Sequence, residues 1–318
     1  MTGPWRGDGR TVHGVACYYG RMRAIILSLG LLALTACTAD PAAATPDPTV
    51  REQQILVPVT GADGNVTQMQ TRLCRPISDA PARLVVINHG SPPDPAQRPR
   101  MRPGQCGQEA AQWFLARGYA VAMPLRRGYG ATGGDYAEGN GPCRSVDFVH
   151  AGLETARDID AAVDALTRLP FLRPDGVVIV GQSAGGWGAI AYDSLPHPKV
   201  AAFVVMAGGR GGHLNMRPNE NCRPDLLAQG AAKFGATAAT PMLWVYAEND
   251  SFFAPAIAEA MHRSFAAAGG KAEFIQPGPF GSDGHNLFFG RGGSAVWGPL
   301  VEQYLARQLT SRTASAPR

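Results

Sequence analysis

The 318-residue chain lacks a Cys-x-x-Cys pair, a bilayer-length apolar run, an internal repeat and a second interdomain linker. Each absence excludes something. Without Cys-x-x-Cys spacing there is no frame for structural zinc, and nothing in the sequence asks for a metal or other cofactor. Basic charge is also missing once the first 36 residues are set aside. They hold Arg6, Arg10, Arg21 and Arg23 against Asp8, out of 29 basic and 25 acidic residues in all, which leaves 25 against 24. A net charge of about +1 gives no electrostatic basis for binding nucleic acid. The longest hydrophobic run, Ala24 to Ala36, would span only about 20 Å as a helix, against about 30 Å for a bilayer core.

That run follows Met22-Arg23 and ends in small residues before Cys37, the layout of an export signal. Leu34-Thr35-Ala36-Cys37 resembles the bacterial lipobox, which implies that Cys37 carries lipid and anchors the mature chain to a membrane surface. Thr38, where aspartate would mark inner-membrane retention, favours the outer membrane if the cell is Gram-negative. Residues 1–21 read as a mis-assigned start and 22–36 as the signal. Residues 37–50, rich in Pro, Ala and Thr, form a tether. Residues 51–310 are expected to fold as one domain, with a tail at 311–318. Cys74, Cys106, Cys143 and Cys222 remain in the exported part. They are read as two disulfides with three possible pairings, against free buried thiols.

Within 51–310, apolar runs alternate between strand and helix patterns. Strands are expected at 53–60, 66–73, 83–88, 119–123, 177–180, 200–206, 242–246 and 272–275. Helices are expected at 108–117, 158–169, 256–268 and 295–309. Such alternation implies a mostly parallel sheet with helices on both faces and chemistry at the carboxyl ends of its strands. Gly208–Thr240 is expected to form a small cap.

Val177-Val178-Ile179-Val180 runs straight into Gly181-Gln182-Ser183-Ala184-Gly185, a G-x-S-x-G turn between strand and helix. Such a turn forces the serine outward, and a Cβ at Gly181 or Gly185 would strike neighbouring backbone. A serine hydroxyl needs a base, and the base a carboxylate to orient it. Asp250 follows one later strand and His285 another, with Glu248 a rival to Asp250. Ser183, Asp250 and His285 are therefore the candidate catalytic residues, with His89 read as a packing residue near the site, His13, His150, His197, His213 and His262 as surface groups, and Asp283 as facing water. Oxyanion donors are expected at the backbone N–H of Ala184 and, in the loop after His89-Gly90, of Ser91. Trp187, Phe252 and Arg127 are candidate substrate contacts. Three loops carry arginines (Arg98, Arg100 and Arg102; Arg126 and Arg127; Arg210, Arg217 and Arg223). They either converge on a substrate carboxylate or are paired and solvated.

Asn88-His89-Gly90, Arg117-Gly118-Tyr119, Arg127-Gly128-Tyr129-Gly130, the serine turn, the Asp250 segment and Gly284-His285 together resemble the α/β-hydrolase superfamily. Within it they are most similar to the branch related to dienelactone hydrolases and prolyl-oligopeptidase-like enzymes. The resemblance implies the α/β-hydrolase fold, a Ser-Asp-His triad in that chain order and a small-molecule ester as substrate. Dienelactone hydrolases use cysteine where position 183 is serine, which argues against their substrate. Two other readings stay open: a small exopeptidase, and a surface-anchored binding protein that has lost catalysis.

Overall fold

The computed structural model describes residues 50–315. The leader, the tether and Cys37 lie outside the described residues, as do 316–318. Eight strands form one sheet: β1 (Val50–Thr60), β2 (Val66–Pro76), β3 (Arg83–Asn88), β4 (Tyr119–Pro124), β5 (Val177–Gln182), β6 (Val200–Met206), β7 (Met242–Val245) and β8 (Ala272–Ile275). Their spatial order is β1-β2-β4-β3-β5-β6-β7-β8. The pairs β1/β2 and β2/β4 are antiparallel, and every later pair is parallel. Strands β5 and β6 are buried along their whole length, which is why they read as unbroken apolar runs rather than as alternation.

Six helices cover the sheet: α1 (Glu109–Leu115), α2 (Phe148–Leu166), α3 (Ala184–Asp193), α4 (Pro224–Gly235), α5 (Pro255–Ala267) and α6 (Gly293–Ser315). One core lies between the sheet and α2 to α5, and includes Ile159, Trp187, Phe203, Trp244 and Phe265. The other lies under α1 and α6, and includes Phe114, Val180, Trp297 and Val301. Helix α2 begins ten residues before the expected start, at Phe148, where the Asp147 side chain caps the N–H of His150. Helix α6 continues five residues into the expected tail. The Gly208–Thr240 segment divides in two. Its glycine-rich first part lies at the carboxyl end of β6, and α4 is the crossover helix to β7, burying Leu227, Ala231 and Phe234.

From β3 the chain turns to β4 on one side and later returns to β5 on the other, so the loops after β3 and β5 diverge there. Such a point in an open parallel sheet leaves a crevice at the strand ends. The side chain of Asn88 stitches the two strands together, donating to Val86 O and to Val180 O at 3.1 Å.

The cysteines pair as Cys74–Cys106 and Cys143–Cys222, across 32 and 79 residues. The first ties β2 to the approach of α1. The second ties the loop before α2 to the loop before α4. In the chain-entropy description the wider loop gains about 0.8 kcal/mol more than the narrower one. Cys143→Ser/Cys222→Ser is therefore expected to lower the urea midpoint more than Cys74→Ser/Cys106→Ser, a comparison that two equilibrium unfolding curves make directly.

Candidate active site

Ser183 sits where β5 becomes α3, with φ 54° and ψ −120°, a backbone conformation that non-glycine residues rarely adopt. The turn is tight because backbones meet there. A Cβ on Gly181 would lie 2.2 Å from Gly185 O, and one on Gly185 would lie 2.3 Å from Asn88 O. Ser183 N–H donates to Met206 O at 3.0 Å, while Ser183 O accepts from Trp187 N–H and Gly209 N–H. These bonds hold the turn against β6 and push the side chain toward a cavity of about 140 Å³. Ser91, Ala184, Phe252 and Phe253 line the same cavity, as do Arg98, Tyr136 and Arg210.

Asp250 and His285 come from the loops after β7 and β8. His285 Nδ1 stands 3.1 Å from each carboxylate oxygen of Asp250. The Asp250 carboxylate is itself fixed, since Oδ1 accepts from the N–H groups of Phe252 and Phe253 at 2.8 and 2.9 Å. With Nδ1 turned to the carboxylate, Nε2 is the nitrogen left for another partner. Gln182, next to Ser183, donates to His285 O at 3.2 Å and so binds the histidine loop to the serine turn. Ser183 Oγ itself makes no hydrogen bond. Glu248, the rival carboxylate, is exposed and takes no part.

The expected oxyanion donors lie close by. The Ser91 N–H takes part in no hydrogen bond, and that of Ala184 heads α3, where the helix provides no acceptor. A Cβ on Gly90 would lie 2.9 Å from Ser183 Cβ, which measures how closely the β3 loop passes the serine. His89 serves this loop structurally. Nδ1 donates to Gly90 O at 2.7 Å, and Nε2 accepts from Arg126 N–H at 3.2 Å. Burial, reinforced by the Arg126 guanidinium, pushes its pKa down to about 3, so the ring is neutral.

Two expected substrate contacts are corrected. Trp187 is fully buried in the core, where its Nε1 donates to Phe148 O at 2.7 Å and its ring meets Phe234 edge-on. One turn into α3, it faces α2 and α4 rather than the cavity. Arg127 is held by Asp158 at 2.5 Å and Glu154 at 2.9 Å, two carboxylates one helical turn apart on α2, and it lines a separate cleft near the β1–β2 turn. Of the other arginines, Arg217 and Arg223 pair with Glu220 and Asp225, Arg100 and Arg102 are exposed, and Arg126 is buried on Glu138. Only Arg98 and Arg210 of that set reach the cavity with Ser183.

Asp283 and His213 have a larger part than the sequence reading allowed. Asp283 accepts from His285 N–H, Ser251 N–H and Ser251 Oγ, joining the two loops that carry the imidazole and its carboxylate. His213 bonds Ser251 Oγ through Nε2 and stacks on Phe252 at 3.5 Å, and Phe252 stacks on His285 at 4.0 Å. Burial keeps the His213 pKa below its ordinary value. No spacing rule announces such a stack, because its members come from three loops.

Residues 107–205, less than a third of the chain but including Ser183, match the prolyl oligopeptidase family. No curated protein matches. Among solved structures, the chain resembles one assigned as a dienelactone hydrolase from Klebsiella pneumoniae (TM-score 0.54, 14% identity, 81% of this chain and 98% of that one). It also resembles the Pyrococcus horikoshii acylaminoacyl peptidase (TM-score 0.60, 14% identity, 82% of this chain), of which it spans 42%. A third is the acetyl xylan esterase from Paenibacillus sp. R4 (TM-score 0.56, 15% identity, 82% of this chain and 86% of that one). The chain has the α/β-hydrolase fold.

Because native His89 refuses a proton that the unfolded chain accepts, its contribution to stability is complete above pH 6.5 and is lost as pH falls from 6.5 toward 3. Urea midpoints at pH 7.5 and 4.5 are expected to differ by less in His89→Gln than in the wild type.

Proposed function

We propose that this protein is a serine hydrolase that cleaves carboxylic esters through an acyl-enzyme. The observation that supports it most is the His285 Nδ1 contact with Asp250, 3.1 Å to both oxygens, next to a cavity lined by Ser183. In this reading His285 Nε2 takes the Ser183 proton as Oγ attacks the ester carbonyl. The N–H groups of Ala184 and Ser91 stabilise the oxyanion. His285⁺ then protonates the leaving alcohol, and the neutral imidazole later activates the water that frees the acid. Asp250 stays ionised throughout and holds the ring with Nδ1 protonated. Phe252 serves two roles, as a cavity wall and as the platform under the imidazole.

Ester cleavage is placed first in this reading, in line with the acetyl xylan esterase among the structures that the chain resembles. Export is supported by the two disulfides, which persist in oxidising compartments. Among the described residues no helix is long and apolar enough to cross a membrane. Attachment to a membrane surface through lipid on Cys37 remains part of the proposal.

Ser183→Ala is expected to abolish fluorophosphonate labelling and to lower kcat on p-nitrophenyl acetate by about 10³-fold or more. Labelling that survives the substitution overturns the assignment of the nucleophile. Faster turnover of aminoacyl anilides than of the esters selects the exopeptidase reading instead.

Asp283→Ala removes two bonds from Ser251 that help join the Asp250 and His285 loops, together with the bond to His285 N–H. Through misplacement of the imidazole it is expected to lower kcat about 10- to 100-fold with KM little changed. Asp283→Asn, which keeps one acceptor oxygen, should recover part of the loss, whereas a general loss of folding would move the unfolding midpoint instead.

A further inference from the structure

The cavity beside Ser183 is surrounded by more positive charge than its partners neutralise. Buried Arg210 gives one nitrogen to Glu138 at 2.8 Å and another to the Tyr136 hydroxyl at 2.8 Å. The same carboxylate is bound by buried Arg126, through Nε at 2.7 Å and a terminal nitrogen at 3.1 Å. Burial alone would raise the Glu138 pKa, yet Arg126 and Arg210 hold it well below the usual carboxylate range, so it is ionised. One negative charge thus serves two arginines, and the trio keeps a surplus of one positive charge. The adjacent phenol, Tyr129, is kept protonated by burial. Of the other acids, Glu154 and Asp158 are occupied by Arg127 and Arg157, and Asp250 is turned to His285.

Arg98 adds a second surplus. Among the described residues it has no ion-pair partner and no side-chain hydrogen bond. Its guanidinium lies over the Tyr136 ring, 3.6 Å from the centroid. The Nε atoms of Arg98 and Arg210 are shielded from solvent, whereas the terminal nitrogens of Arg98, without an acceptor among the described residues, are open to it. A carboxylate is the acceptor that fits a guanidinium best.

We propose that this cavity is an anion subsite, and that the ester presented to Ser183 carries a carboxylate held by Arg98 and Arg210. The inference rests on the serine-hydrolase reading of the same site and adds the substrate class to it. Phe252 and Phe253 line the same cavity and would lie against the methylenes of the anionic arm. A neutral ester of the same length leaves the terminal nitrogens of Arg98 without that partner, and discrimination arises from the difference.

The test compares kcat/KM for matched charged and neutral esters. For a carboxylate on the acyl side the pair is p-nitrophenyl hemiglutarate and p-nitrophenyl valerate. For one on the alcohol side it is 4-acetoxybenzoate and its methyl ester. Rates with Ser183→Ala are subtracted from each. In at least one pair the charged ester is expected to lead by about tenfold or more, the effect of a single charge-assisted hydrogen bond. That ratio should fall by about fivefold or more in Arg98→Gln, recover partly in Arg98→Lys, and shrink in about 1 M salt. Parity or a neutral preference in both pairs overturns the subsite, as does a ratio unmoved by Arg98→Gln. If fluorophosphonate labels Ser183 while no charge preference appears, the subsite alone is lost. No labelling and no turnover of any ester removes the hydrolase reading with it.

Discussion

The strained backbone at Ser183 is the constraint on which the rest of this structure depends. A non-glycine residue at φ 54° costs about 1–3 kcal/mol and persists only where its surroundings leave no alternative. Here β5 is buried throughout, the Ser183 N–H is committed to β6, and glycine backbones pack against one another on both sides of the turn. The same geometry turns the hydroxyl outward and leaves the first N–H of α3 without an acceptor. Strain, an outward-turned hydroxyl and an unbonded helix N–H are therefore one feature seen three ways. The loops bearing Asp250 and His285 are longer and less constrained, and they acquire their positions from side-chain bonds through Asp283, Ser251 and Gln182.

Much of the fold was legible because burial leaves a plain trace. Strands β3, β5 and β6 are runs of Val, Ile, Leu, Phe and Ala bounded by turn residues, and the serine turn is fixed by glycines whose absence would bring backbone into collision. The start of α2 was illegible for a physical reason. Its first three turns bury Glu154, Thr155 and Asp158, polar residues that face inward to meet arginines from other loops, and that inverts the apolar period on which helix recognition rests. Arg127 was misread for the same cause, since a guanidinium met by two carboxylates has no reach left for a ligand. Trp187 was misread because its spacing from Ser183 says nothing about which side of α3 it occupies. Asp250 and His285 were readable from their places after strands. The stack of His213, Phe252 and His285 was not, because sequence records no distance between loops.

The buried polar layer around Glu138 has a unifying role. It joins the loop after β4 through Arg126 and Tyr129, the middle of α2 through Thr155, and the loop after β6 through Arg210. Its members are almost fully enclosed, so each bond is worth more than a surface pair and each loss leaves a charge stranded. A network of this kind fixes loop positions more strictly than apolar packing does. That suits a cavity whose walls are loops rather than helices. It also explains how two buried arginines come to lie within one small region without driving it apart.

The Cys143–Cys222 bridge gives this arrangement a dependence on cellular address. It clamps the loop bearing Asn140, on the cavity wall, to the segment just after Gly209–Gly212, also on the wall. The sheet beneath needs no such clamp, being held by its own ladders and two apolar cores. A copy of the chain retained in a thiol-rich cytosol would therefore keep its scaffold while the rim around the serine loosened. In the serine-hydrolase reading, the cleft would take its working shape only in an oxidising compartment.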